Sequence, residues 1–166
     1  ATDTANYNRI GERRYVGADA QASFEWPAGI TTLRAEYITG EQPGVTANSL
    51  SPKVAPTAAI YHRTFNGAYF YLIQNIGSSK FQAVVKYDWY DPNIKIAGKD
   101  IGKAGTNTNA GDIRFDTYGF GLTYRINAFA KIIAYYDMVK NEGTSVKGYT
   151  RDIKDNVITI RTQIRF

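Results

Sequence analysis

The chain has 166 residues, 43% of them hydrophobic, enough for one domain with a sizeable core and too apolar for a disordered chain. Its net charge of +5 comes without any basic block, so the charges read as solvated strand faces and not as a nucleic-acid footprint. The absence of cysteine excludes disulfides and thiolate metal sites, and no stretch nears the ~18 apolar residues of a transmembrane helix, although a transmembrane barrel stays open.

Seven segments alternate. Residues 15–26 (YVGADAQASFEW) set Val16, Ala18, Ala20, Ala22, Phe24 and Trp26 against Asp19, Gln21, Ser23 and Glu25. Residues 31–39 set Leu33, Ala35 and Tyr37 against Thr32, Arg34 and Glu36. Residues 65–76 (FNGAYFYLIQNI) are apolar on both faces in the middle, which leaves their phase unassigned. Residues 81–90 oppose Phe81, Ala83, Val85, Tyr87 and Trp89 to Gln82, Lys86, Asp88 and Tyr90.

Residues 117–126 set Tyr118, Phe120, Leu122, Tyr124 and Ile126 against Thr117, Gly119, Gly121, Thr123 and Arg125. Residues 130–139 set Ile132, Ala134, Tyr136 and Met138 against Lys131, Tyr135 and Asp137. The closing segment, 157–166, sets Ile158, Ile160, Thr162, Ile164 and Phe166 against Thr159, Arg161, Gln163 and Arg165. Period 2 sustained over this length predicts strands, with no competing helical period.

Short connections (WPAG, GSSK, NAF) alternate with three long ones, 40–64, 91–116 and 140–156. Strict alternation places all long connections at one end of an up-and-down antiparallel array, the layout of an outer-membrane barrel with short periplasmic turns and long external loops. Trp26, Tyr37, Trp89, Tyr118 and Phe166 fall near strand ends, where interfacial girdles form. The expectation is therefore an all-β, antiparallel transmembrane barrel in the cell outer membrane, with its apolar face in lipid and its polar face on a lumen. The competing architecture is a soluble lipocalin-type barrel with the apolar face inside.

Seven strands do not give the even count of a bacterial barrel whose ends are both periplasmic. Either a weak eighth strand lies in Asn6–Arg13, or 1–166 is the C-terminal portion of a larger barrel. NYNRIGERR alternates poorly and no leader peptide opens the chain, so the second reading is preferred.

Several stretches, FNGAYFYLIQNIG, KFQAVVKYDWYDPN, GDIRFDTYGFGLTY, AYYDMVKNEGT and DNVITIRTQIRF, resemble the C-terminal half of phosphate-selective-porin-like proteins of Bacteroidota-type bacteria. The resemblance covers about residues 12–166, with VVKYDWYDPN and YYDMVKNE its most specific pieces. It implies a porin of roughly 16–18 strands with a water-filled channel. It also implies a terminal aromatic that serves as an assembly signature.

The inward face then offers Arg34, Lys86, Arg125, Lys131, Arg161 and Arg165 as pore-lining cations, with Glu36, Asp88 and Asp137 as their main counter-charges. With Asp19 and Glu25 added, six cations face five carboxylates, so no single-sign field marks a strong anion filter. Only Arg125, Lys131, Arg161 and Arg165 cluster, near the periplasmic mouth, which supports a weak anion preference. The lipid-facing set is Leu33, Val85, Tyr87, Trp89, Phe120, Leu122, Ile132, Ile160, Ile164 and Phe166.

The expected function is a passive channel for small hydrophilic or anionic solutes, partnered by the bilayer and lipopolysaccharide, as a homotrimer or beside other outer-membrane proteins. The alternative is a barrel acting as a structural or interaction component of an outer-membrane complex through its loops. Catalysis is not expected: His62 is the single histidine, read as lying in a loop, with no orienting acid nearby. No cofactor, metal or nucleic acid is expected either. Asp91-Pro92-Asn93, with Asp100, could supply oxygen ligands to Ca²⁺ but reads more simply as a turn. Gly17, Gly67, Gly119 and Gly121 inside strands mark bends or close side-chain stacking.

Overall fold

The computed structural model describes residues 12–44 and 61–166. Seven strands form a single antiparallel sheet in chain order: β1 (Arg14–Trp26), β2 (Gly29–Gly44), β3 (Tyr61–Asn75), β4 (Phe81–Asp91), β5 (Phe115–Arg125), β6 (Ala130–Asn141) and β7 (Val157–Ile164). Each strand pairs with its sequence neighbour, and β1 and β7 are the two edges of an open sheet. Among the described residues the helical pieces are two three-residue turns, Gly98–Asp100 and Ala110–Asp112, and no helix is long and apolar enough to cross a membrane.

The short turns follow from their residues. Gly29 holds φ 112° where the chain reverses between β1 and β2, and a Cβ there would strike the Asn75 carbonyl oxygen, so only glycine fits. Between β5 and β6 the Asn127 side chain accepts from the Phe129 and Ala130 amides, 2.8 Å each, closing a tight Asx-type turn. These turns occupy one end of the sheet and the long connections the other.

Two boundaries differ from the alternation. β2 runs on to Gly44 and β3 starts at Tyr61, with Gly44 opposite Tyr61, so the connection shrinks to 45–60, outside the described residues. His62 is thus a strand residue opposite Pro43, not a loop residue. Ladder pairing needs only backbone groups, so GEQPG and YHRTF extend it without any hydrophobic period to announce it.

Among the described residues no second layer covers the middle of either face of the sheet. The buried apolar side chains among the described residues are Phe65, Ala68, Ile101 and Ile113. Phe65 packs edge-on to Tyr15 at 5.3 Å and near Tyr90 at 6.0 Å. Ile101 and Ile113 belong instead to the long connection 92–114, which interlocks with the connection 142–156 at the loop end. The Ser145 amide donates to the Ile101 carbonyl at 2.9 Å and the Gly98 amide to Glu142 at 2.7 Å. Lys99 Nζ bridges the Thr144 and Thr150 carbonyls at 3.2 and 3.0 Å. Asp91-Pro92-Asn93 makes the expected turn, with the Asn93 amide donating to Asp91 Oδ1 at 3.0 Å.

Candidate functional site

Directly opposed residues of an antiparallel pair share a face, so the register sorts every strand residue. One face carries the rows Gln21–Arg34–Tyr71–Lys86–Gly119–Asp137 and Asp19–Glu36–Tyr69–Asp88–Thr117. Arg125, Lys131 and Arg161 lie on that same face, opposite one another or Gln163 and Ile133. Arg165 stands past the end of β7 with the same parity, its amide bonded to the Phe129 carbonyl at 2.8 Å. The opposite face carries Leu33, Val85, Phe120, Leu122, Tyr87, Trp89, Ile132, Ile160 and Ile164, while Phe166 lies beyond the last strand and is fully exposed. The phase of β3 is also fixed: Tyr69 and Tyr71 join the charged face, Phe70 and Leu72 the apolar one.

The centre of the charged face is an ion network. Lys86 Nζ lies 2.7 Å from Asp88 and 3.4 Å from Asp137, with side-chain exposures of 17%, 29% and 25%. Asp19 and Glu36 stand directly opposite each other on β1 and β2. Like charges so placed repel, so this row is built for water and counter-ions and not for a dry interior. The Tyr69 hydroxyl hydrogen-bonds Glu36, and the Tyr135 ring lies flat over Gly119 and Gly121. A Cβ on Gly121 would sit 2.5 Å from Tyr135 Cδ2, which is the close stacking those glycines permit.

Toward the short-turn end the face turns basic. Arg125, Lys131, Arg165, Asn127 and Gln163 line a shallow basin there. Among the described residues no ion pair engages Arg125, Lys131, Arg161 or Arg165. The predicted candidates therefore fall into two groups along the strands: a mixed, paired belt at mid-height and an unpaired cationic end.

At the loop end a residue pair appears that the sequence did not announce. Arg63, on the charged face of β3, is 3% exposed and binds Asp112, 1% exposed, through Nε–Oδ1 at 2.7 Å and Nη2–Oδ2 at 3.2 Å. Asn93 Nδ2 adds a bond to Asp112 Oδ1 at 2.8 Å, and the Asn109 amide one to Oδ2 at 3.0 Å. Burial alone would raise the Asp112 carboxyl. The Arg63 guanidinium, the Asn109 N–H and the Asn93 amide outweigh it and hold the group below the usual carboxylate range.

Asn141, also on the charged face, donates to the Arg151 carbonyl at 3.3 Å and accepts from the Ile153 amide at 2.9 Å. Both long connections therefore lean over the charged face. Arg63 lay in a stretch without period, and Asp112 is distant in sequence, so no local signal could pair them. Tyr135 was recoverable: two glycines two apart on the polar face, facing a large ring on the next strand, predict stacking.

Among the described residues no group of three His, Asp or Glu could hold a metal ion. No family model, curated protein or solved structure matches the chain, so the likeness to phosphate-selective-porin-like proteins rests on the stretches quoted above.

Proposed function

We propose that the chain is a section of an outer-membrane β-barrel porin, part of a larger barrel, that passes small hydrophilic solutes by diffusion with a weak preference for anions of the phosphate type. The observation that carries this reading is the contrast between the two faces. Among the described residues the long connections reach the charged face only at its loop end and no second layer lies over the middle of either face, so exposure there reports curvature: side chains crowd on a concave face and splay on a convex one. Lys86, Asp88 and Asp137 are 17–29% exposed, whereas Val85, Phe120 and Leu122 on the neighbouring strand positions are 43–49% exposed. The charged face is the concave one, as a lumen requires, and the apolar face looks outward.

Magnitude argues the same way. At roughly 200 Å² per aromatic side chain, the near-half exposure of Phe24, Tyr37, Phe70 and Phe120 alone leaves about 400 Å² of apolar surface. Leu33, Leu72, Val85, Leu122, Ile158 and Ile160 add to it. Monomers in water rarely show patches beyond about 300–600 Å², so this face needs a cover and lipid supplies one. From Phe81 to Trp89 the strand covers about 26 Å, or about 20 Å of depth at a barrel's tilt, near the ~25 Å band of membrane barrels.

Flux would follow pore width and the lumen's field, with no chemistry on the solute. The test is conductance of the full-length protein in a planar bilayer under a salt gradient. Charge reversal at the unpaired cations, Lys131→Glu with Arg161→Glu, is expected to move the reversal potential toward cation preference. An unmoved potential would contradict a lumenal position. The interlocked connections 92–114 and 142–156, which carry their own small core, favour a second reading, an external docking surface. A folded, inserted and electrically silent protein would select that reading.

A further inference from the structure

The charged face is not lined evenly. From the long-loop end, its rows run Gly17–Ile38–Gly67–Tyr90–Phe115, then Asp19–Glu36–Tyr69–Asp88–Thr117, then Gln21–Arg34–Tyr71–Lys86–Gly119–Asp137. Two glycines leave the first row low. The gap over Gly119 in the third row is filled by the Tyr135 ring, whereas Gly67 has only a ring edge beside it, a Cβ there standing 3.3 Å from Tyr90 Cδ2. The result is a hollow of about 290 Å³ on the charged face, walled by Glu36, Tyr69, Tyr71, Lys86, Asp88 and Tyr90. That is the small end of the range for small-molecule sites.

The rings of the hollow are held in place. Tyr69 and Tyr71 meet edge to face at 5.4 Å and 72°, with the Tyr69 hydroxyl bonded to Glu36. Tyr90 rests near the buried Phe65 at 6.0 Å, and Tyr15 props Phe65 at 5.3 Å. Polar atoms stand between the rings. Lys86 Nζ holds Asp88 and Asp137, which leaves one ammonium donor. Among the described residues Glu36 is bonded by Tyr69 and Asp88 is paired with Lys86. A carboxylate has about four acceptor positions, so both keep acceptors for a ligand.

Charge narrows the choice of ligand. In these rows the carboxylates of Asp19, Glu36, Asp88 and Asp137 outnumber the cations Arg34 and Lys86, so an anion gains nothing by stopping there. The Lys86 ammonium in the wall opposes a small cation. A neutral solute rich in hydroxyls meets neither objection.

We propose that this hollow is a binding site for a neutral saccharide, with a pyranose ring lying against the Tyr69, Tyr71 and Tyr90 rings, adjacent hydroxyls donating to Glu36 and Asp88, and Lys86 donating to a further oxygen. The inference rests on the channel reading above and narrows its hydrophilic solutes to a class. The negative face of an aromatic ring attracts the polarised C–H groups of a sugar, and hydroxyl-to-carboxylate hydrogen bonds are among the strong ones.

The full-length protein, folded in detergent micelles, would be titrated calorimetrically with neutral linear hexasaccharides of glucose, mannose and galactose, with size-matched polyethylene glycol, with inorganic phosphate and with spermidine. Saturable binding of at least one saccharide is expected, with the same affinity at low and high salt because the ligand is uncharged. In planar bilayers the same saccharide should interrupt the current. Glu36→Gln should weaken binding about tenfold, the margin between a hydrogen bond to a carboxylate and one to an amide. Tyr69→Phe, which keeps the ring, should bind better than Tyr69→Ala. No saccharide binding, equal binding of polyethylene glycol, tighter binding of phosphate or spermidine, or unchanged affinity in Glu36→Gln would overturn the site. A conducting protein that fails these titrations overturns the site alone, and a silent protein that still binds saccharide in micelles overturns the channel reading alone.

Discussion

Arg63 and Asp112 show how a single pair can hold a large loop. Both are almost wholly buried, and between them they tie β3 to the short turn at Ala110–Asp112. A buried ion pair adds little over a well-packed apolar pair, but removing one partner strands the other charge at a cost of about 3–5 kcal/mol. Asp112→Ala is therefore expected to free the 92–114 connection, read as loss of amide hydrogen-exchange protection at Gly111 and Asp112. Arg63→Met with Asp112→Asn, which removes both charges and keeps an acceptor at 112, should retain more of that protection than Asp112→Ala.

The pH dependence has a definite sign. The Asp112 carboxyl is depressed in the folded state, so its contribution is complete above its unfolded value, about 3.9, and is lost as pH falls through the lower folded value. Protection of the loop should survive mild acidity and disappear only in stronger acid. Loss near neutral pH would mean that another group controls the anchor.

At the scale of elements, the strand is the unit on which the two faces can be compared. Val85 on β4 and Thr159 on β7 lie on opposite faces of one sheet. If the apolar face meets acyl chains, Val85→Lys should cost about 2–4 kcal/mol of folding free energy in vesicles, and Thr159→Lys close to nothing. Chemical unfolding from vesicles, followed by tryptophan fluorescence, measures both. Similar costs for the two would deny the distinction.

The strands were readable where one face was kept polar. Residues 81–90, 117–126 and 130–139 match β4, β5 and β6 to within two residues at every end, because alternation writes the burial pattern directly into the chain. β3 was found but not phased, since Tyr69, Tyr71 and Ile73 place large side chains on the charged face beside Phe70 and Leu72 on the other. The extension of β2 and β3 beyond the alternation was invisible because backbone pairing carries no side-chain signature there. The loop cap was invisible for a related reason. Its bonds join residues some 45 positions apart through backbone groups and the side chains of Lys99, Ser145 and Glu142, whose neighbours in sequence give no hint of their partners.

For the molecule as a whole, the open edges matter as much as the faces. Among the described residues β1 and β7 each present an unpaired backbone row. In lipid such rows are untenable, so a membrane barrel must close them with further strands. On the proposed reading the sheet would supply seven consecutive staves of such a ring, with the charge pattern running along them: a paired belt around Lys86 and a cationic end toward the short turns.

The central claim is that water borders the Lys86 face and acyl chains border the Val85 face. The chain has no cysteine, so single cysteines can be placed at consecutive positions 84, 85, 86 and 158, 159, 160 without background. In vesicle-reconstituted protein, a water-soluble thiol reagent should label 84, 86 and 159, and leave 85, 158 and 160 untouched. A fluorophore attached before reconstitution should be quenched by brominated acyl chains only at 85, 158 and 160. Labelling of 85, 158 and 160 from water, with quenching at 86, would contradict the account.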